Sequence, residues 1–215
     1  MIKRILAILP SVIVFTLTAC APDAPEPAGV VIVNARVIDG SGGSSRDVNV
    51  RVVGDRIVTV GNFEPSANDT LVDANGLVLA PGFIDAHSHH EDGLLEMPGA
   101  LAVVSQGITT IAGGQDGDQI YPLDDFFASL ETSPVAINVA SFAGHGTLRG
   151  RVMGEDYQRH ATSDELAEMV GLLRAEMEAG ALGLSSGLEY DPGSFSTTEE
   201  LVVLAKEVAL HGGRY

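Results

Sequence analysis

Residues 81–92 read Pro-Gly-Phe-Ile-Asp-Ala-His-Ser-His-His-Glu-Asp (PGFIDAHSHHED). The chain has 6 histidines, and His87, His89 and His90 crowd into four consecutive positions directly after an apolar run. A strand alternates its side chains between two faces, so Phe83, Asp85, His87 and His89 share one. His87 and His89 can then hold one metal ion from the strand's C-terminal end, the end at which α/β barrels carry their active sites. Imidazole suits zinc, and an HxH pair offers two nitrogens with little backbone strain. Asp85, on the same face, is placed to orient one of the histidines from behind. The plain alternative is a His-rich surface loop.

The flanking sequence decides the setting. Upstream, VVIVNARVID (30–39) is β-rich, and DVNVRVVGDRIVTVG (47–61) alternates around Gly54-Asp55, a hairpin signal. TLVDANGLVLAPGFIDAH (70–87) holds two further strand-like runs around Asn75-Gly76. Residues 30–80 are therefore expected to form a small antiparallel β domain. Downstream the period changes. Strands are expected over 107–114, 134–144 and 181–190, and a short helix over 123–130. The pattern predicts a helix over 162–180, with Thr162 and Glu165 as a capping box and Gly180 as its stop. Ser196 and Glu199 are expected to cap a further helix that ends at Gly212-Gly213. Strands alternating with helices imply a parallel sheet. About four β–α units follow Leu77, where a closed (β/α)8 barrel needs eight. The expectation is an α/β chain whose residues 81–215 form the first half of a TIM-type barrel. A complete open-sheet α/β domain is the competing reading.

The 215 residues carry a formal charge of −17, which argues against nucleic acid and anionic lipid as electrostatic partners. The first 20 residues have the form of a bacterial lipoprotein signal. Lys3 and Arg4 precede an apolar run, Ile5 to Thr16, that is short for a bilayer span, and Leu17-Thr18-Ala19 leads to Cys20. Cys20, the only cysteine, is the expected lipidation site. An ordinary secretory signal is the alternative. Removal of residues 1–19 deletes two basic residues and no acidic one, taking the charge from −17 to −19. Residues 21–29 then form a Pro/Ala-rich tether, and the expected location is the cell envelope, outside the cytoplasm, anchored to a membrane by acyl chains.

Two further residues follow the expected strand over 134–144. His145, in FAGHGTLR, sits past the third strand on the rim where substrate would be met, or else bonds loop backbone. Arg149 could hold a substrate carboxylate in its guanidinium fork, or form a surface ion pair. Ser185 and Ser186 have no evident base, so a serine hydrolase is not indicated. His160 and His211 lie at helix edges and read as structural.

PGFIDAHSHHE resembles the first-strand metal motif of the amidohydrolase superfamily, and GDRIVTVG with DANGLVLAPGFID resembles the small β-sandwich domain that precedes the barrel there. GITTIAGGQDG, FAGHGTLRG and GALGLSSGLEYDPGSFSTTEELVVLAKEVALHGGRY resemble its N-acyl-D-amino-acid deacylase (D-aminoacylase) branch. The likeness runs from about Val30 to Tyr215. It implies one or two zinc ions and hydrolysis of an N-acyl-D-amino acid to a carboxylate and a free D-amino acid. Where the branch usually carries a cysteine ligand, this chain has Asp116, a carboxylate that can also coordinate or bridge zinc. Asp118 is the fallback, and a solvated Gly-Asp turn the alternative. The resemblance also implies Tyr190 as a substrate-pocket residue. It places further histidine ligands and the catalytic general base on later strands, beyond Tyr215, so these 215 residues are expected to be inactive alone. Other expectations remain open: a dihydropyrimidinase-like or dipeptidase-like amidohydrolase, a non-catalytic envelope lipoprotein, or a truncated chain that does not fold stably.

Overall fold

A computed structural model describes residues 27–215. The lipoprotein signal, Cys20 and most of the tether lie outside the described residues. The chain divides into two compact units, one ending at Ala80 and one spanning Pro81–Tyr215.

In the first unit, β1 (Val30–Val37), β2 (Arg46–Val53) and β3 (Arg56–Gly61) form an antiparallel meander. Gly54 turns the β2–β3 hairpin at φ 58°, a left-handed angle that favours glycine. β4 (Thr70–Asp73) and β5 (Val78–Leu79) both pair with β1, and both run parallel to it. The expectation of a purely antiparallel unit is corrected here. Residues 62–69 carry the chain from one edge of the sheet, β3, to the other, so β4 enters beside β1 in the same direction. Asn75-Gly76 is not a turn between paired strands. It is a break in one edge, opposite an irregularity in β1 at Asn34, and Gly76 N donates to Asn34 O at 2.8 Å. Val31, Ala35, Val37 and Val50 are buried beneath this sheet.

The second unit starts with β6 (Phe83–Asp85), α1 (Leu101–Val104), β7 (Ile108–Gly113), α2 (Leu123–Thr132) and β8 (Asn138–Ser141). It continues with β9 (Ala143–Gly144), α3 (His145–Met153), α4 (Ser163–Glu178), β10 (Leu184–Ser185) and α5 (Thr198–Leu210). β6, β7 and β8 pair in parallel in chain order. Only Phe142 separates β8 from β9, β9 pairs in parallel with β10, and Gly183 bridges in parallel to Arg214. Strands thus follow one another without the reversal of order that defines an open doubly wound sheet. This is the wall of a (β/α) barrel.

Leu123, Leu148, Met169, Leu173, Leu184 and Leu204 are fully buried where α2–α5 meet the strands. The α4 capping box forms as the sequence predicts. Thr162 accepts from Glu165 N at 3.3 Å, and Thr162 N donates to the Glu165 carboxylate at 2.8 Å. The cap of α5 lies one residue later than expected. Thr197 accepts from Glu200 N, because the Ser196 hydroxyl is committed to Gly193 O at 2.7 Å. The strand expected over 181–190 shrinks to two residues, since Ser185 turns its hydroxyl to the β7 loop instead of leaving the chain free to extend.

Candidate metal centre

β6 ends at Asp85, and His87 and His89 follow on the loop above it. β7 ends at Gly113, and three residues later Asp116 faces both imidazoles. His87 Nε2 lies 3.2 Å, and His89 Nε2 3.1 Å, from the same oxygen, Asp116 Oδ2. The ligand atoms of these three residues lie within 4.8 Å of one another, the one such grouping of three among the described residues. Two imidazole nitrogens and a carboxylate oxygen are the donor set of a zinc site, and all three residues remain reachable from solvent. The Asp116 carboxyl lies below its usual range. The hydrogen bond from His89 is the main cause, opposed by burial and reinforced by the bond and charge of His87. It is therefore ionised, as a ligand must be.

The loop that delivers Asp116 is built for one conformation. Asp116 itself has φ 55°, a left-handed angle that Asp tolerates better than most residues. Gly114 sits at φ 67°, and a Cβ there would fall 2.1 Å from Phe142 O. Gly114 N donates to Glu91 Oε1 at 2.7 Å, and Gly117 N to the Ser185 hydroxyl at 3.1 Å. The Gln115 amide donates to Ala86 O at 3.2 Å and to Ala112 O at 3.0 Å, tying this loop to the end of β6. Glu91, buried behind Gly113 and Gly114, was not anticipated. It stands in the opening stretch, but nothing in the sequence separates a buried loop carboxylate from a solvated one.

A cavity of about 490 Å³ opens beside His89 and Asp116. Tyr190 and Thr147 line it. Asp118 also lines it, but its carboxylate accepts from the Thr147 hydroxyl at 2.9 Å and stands outside the three-donor group. His90 is outside that group too.

Three assignments change. Asp85 Oδ1 accepts from the backbone N of His87 at 3.3 Å, so it steadies the loop and not an imidazole ring. His145 and Arg149 are 0 % exposed, and both are bonded to Glu200. They do not reach the cavity as substrate contacts. His211 bonds Glu207 one helical turn away at 3.4 Å, and the Ser186 hydroxyl bonds the Tyr215 hydroxyl at 2.9 Å.

The model of the amidohydrolase family matches residues 70–209. The chain belongs to this family. Within it, the D-aminoacylase of Alcaligenes xylosoxydans xylosoxydans is 36% identical over 88% of this chain and 44% of its own. The N-acyl-D-aspartate deacylase of the same organism is 39% identical over 84% and 41%. A zinc- and phosphonate-bound N-acyl-D-glutamate deacylase from Bordetella bronchiseptica superposes with a TM-score of 0.80 at 33% identity, over 86% of this chain and 44% of that one. The L-hydantoinase of Arthrobacter aurescens shares the fold at TM-score 0.56 and 20% identity. The chain thus spans less than half the length of the D-acyl-amino-acid deacylases it matches.

Proposed function

We propose that the protein is a zinc-dependent hydrolase that cleaves the amide bond of N-acyl-D-amino acids. The convergence of His87, His89 and Asp116 beside a cavity at the ends of β6 and β7 carries this reading. The relatives named for D-aminoacylase and N-acyl-D-aspartate deacylase activity support the substrate class. His87, His89 and Asp116 would hold the metal. Bound zinc would lower the pKa of a water and polarise the scissile carbonyl. The protein's own residues prepare that event. Asp116 brings negative charge at neutral pH, and the Glu91 and Ser185 contacts keep its loop from drifting. Tyr190 offers an aromatic wall to the substrate. A D-aminoacylase structure describes a binuclear centre with one-metal activation and second-metal attenuation. Asp116, which both histidines face here, would be a ligand whether one ion or two were bound.

The intact gene product, supplied with zinc, should release amino acid from N-acetyl-D-amino acids at least about a hundredfold faster than from their L-enantiomers, a discrimination of the size that a shaped polar site reaches. Equal rates, or turnover of cyclic amides alone, would sink the D-deacylase assignment.

We also propose that Cys20 carries lipid and anchors the protein to the cell envelope. The basic, apolar and small-residue succession before Cys20 supports this. Cys20→Ser should move the protein from the membrane fraction to the soluble fraction. Unchanged membrane association would remove the anchor.

A further inference from the structure

Glu200, 3 % exposed in the first turn of α5, joins the two groups that the sequence had placed at substrate. Its Oε1 accepts from His145 Nε2 at 2.8 Å and its Oε2 from Arg149 Nη1 at 2.5 Å. Arg149 Nη2 also donates to the carbonyls of Tyr157 at 3.1 Å, Phe195 at 3.3 Å, and Arg159. Burial alone would push the Glu200 carboxyl up, but the bonds from His145 and Arg149 and the charge of Arg149 hold it below its usual range. A buried guanidinium–carboxylate pair of this kind resists opening, since each partner left alone would be an uncompensated charge.

The contacts reach two separate walls of the cavity. One is the first turn of α3, where His145 is followed by Gly146 and Thr147 at the cavity surface. The other is the segment from Gly187 to Gly193, which carries Tyr190 and continues to Phe195. That segment has little regular structure of its own. Its internal bonds are local, such as Ser194 N to Tyr190 O at 2.9 Å. It is held from outside at Phe195 O by Arg149, and at Asp191 by the Tyr157 hydroxyl at 3.2 Å. Tyr157 in turn has its carbonyl on Arg149 and its ring edge-on to Phe195, with centroids 5.7 Å apart.

We propose that Arg149, Glu200 and His145 are positioning residues whose buried network locks the Gly187–Gly193 wall to the α3 wall and so sets how tightly the cavity grips substrate. The kinetic part rests on the deacylase reading, and the structural part does not. Arg149→Lys keeps the charge opposite Glu200 but loses the fork that reaches three carbonyls. In the intact gene product, amide exchange over 187–196 should quicken at least about tenfold, while amides of α4 hold their rates. KM for N-acyl-D-amino acids should rise about tenfold or more with kcat within about twofold and zinc content unchanged. Should Arg149→Lys not fold, Glu200→Gln, which keeps the size and one acceptor, should show the same localised pattern. Arg174→Met removes a different bond to α5, Arg174 Nε to Glu207 at 2.8 Å, and should leave the wall unchanged. Unaltered exchange over 187–196, or exchange that quickens equally through α4, would overturn the proposal. So would a fall in kcat at constant KM. If the unmutated protein hydrolyses no N-acyl-D-amino acid, the deacylase reading fails, and the exchange measurement still decides whether the network holds the wall.

Discussion

Asp116→Ala is expected to abolish tight zinc binding and, with it, hydrolysis. Changes one layer behind a metal's ligands typically cost 10–100-fold in affinity, so loss of a direct ligand should cost at least about a hundredfold. The reasoning is geometric. His87 and His89 aim their Nε2 atoms at one Asp116 oxygen, and without it this group loses its carboxylate and the negative charge that would offset a divalent ion. The fold should survive, since the Asp116 side chain is 40% exposed and bonds nothing but the two imidazoles. Alanine adds one complication, because the residue sits at φ 55° and alanine dislikes that region by about 1–2 kcal/mol. Asp116→Asn separates the two effects. Asparagine tolerates the left-handed angle and keeps the shape, but not the charge. Both variants should lose zinc, measured by metal analysis after dialysis, and Asn should keep the melting temperature. Full metal content in either would remove Asp116 from the centre and bring Asp118 back.

Gly114→Ala should be the most damaging single methyl in the metal-bearing loop. A Cβ there would meet Phe142 O at 2.1 Å and the Ser141 hydroxyl at 2.6 Å. Neither can retreat freely, because Phe142 N donates to Gly113 O at 3.0 Å and Ser141 is paired with Gly113 across β7 and β8. The left-handed angle costs about 1–2 kcal/mol and overpacking about 1–3 kcal/mol, so about 2–5 kcal/mol in all. The melting temperature should fall by about 5–15 °C, and zinc affinity should weaken because the carbonyl of Gly114 and the amide of Gly117 hold Ser185 and Asp116 in place. Gly171 is the counterpart. It lies in the middle of α4 with open space around it, and Gly171→Ala should stabilise by about 0.5–1 kcal/mol. Equal effects of the two substitutions would contradict the loop geometry.

Local chemistry explains what was legible in the sequence. The Thr162–Glu165 box depends on neighbours within a few residues and is realised, whereas the strand's period of two stops at Asp85 and leaves His87 and His89 on the loop that follows. Asp116 was found through a family likeness, since its distance of 27 residues from His89 follows from strand pairing and not from local pattern. α3 was missed for a different reason. Its inward face is His145, Leu148, Arg149 and Met153, a helical spacing in which two members are polar. A hydrophobic reading discards them, together with Gly146 and Gly150. The same blindness put His145 and Arg149 at the substrate rim, since their partner Glu200 lies more than 50 residues on. The parallel entry of β4 was equally hidden, because the sheet order is set by where residues 62–69 cross and not by any residue in the strand.

The most direct test of the metal centre is anomalous diffraction at the zinc edge from crystals of the intact gene product. The account predicts a peak about 2.0–2.2 Å from His87 Nε2, His89 Nε2 and an Asp116 carboxylate oxygen. Zinc held elsewhere, or no peak at these three residues in a crystal saturated with zinc, would contradict it.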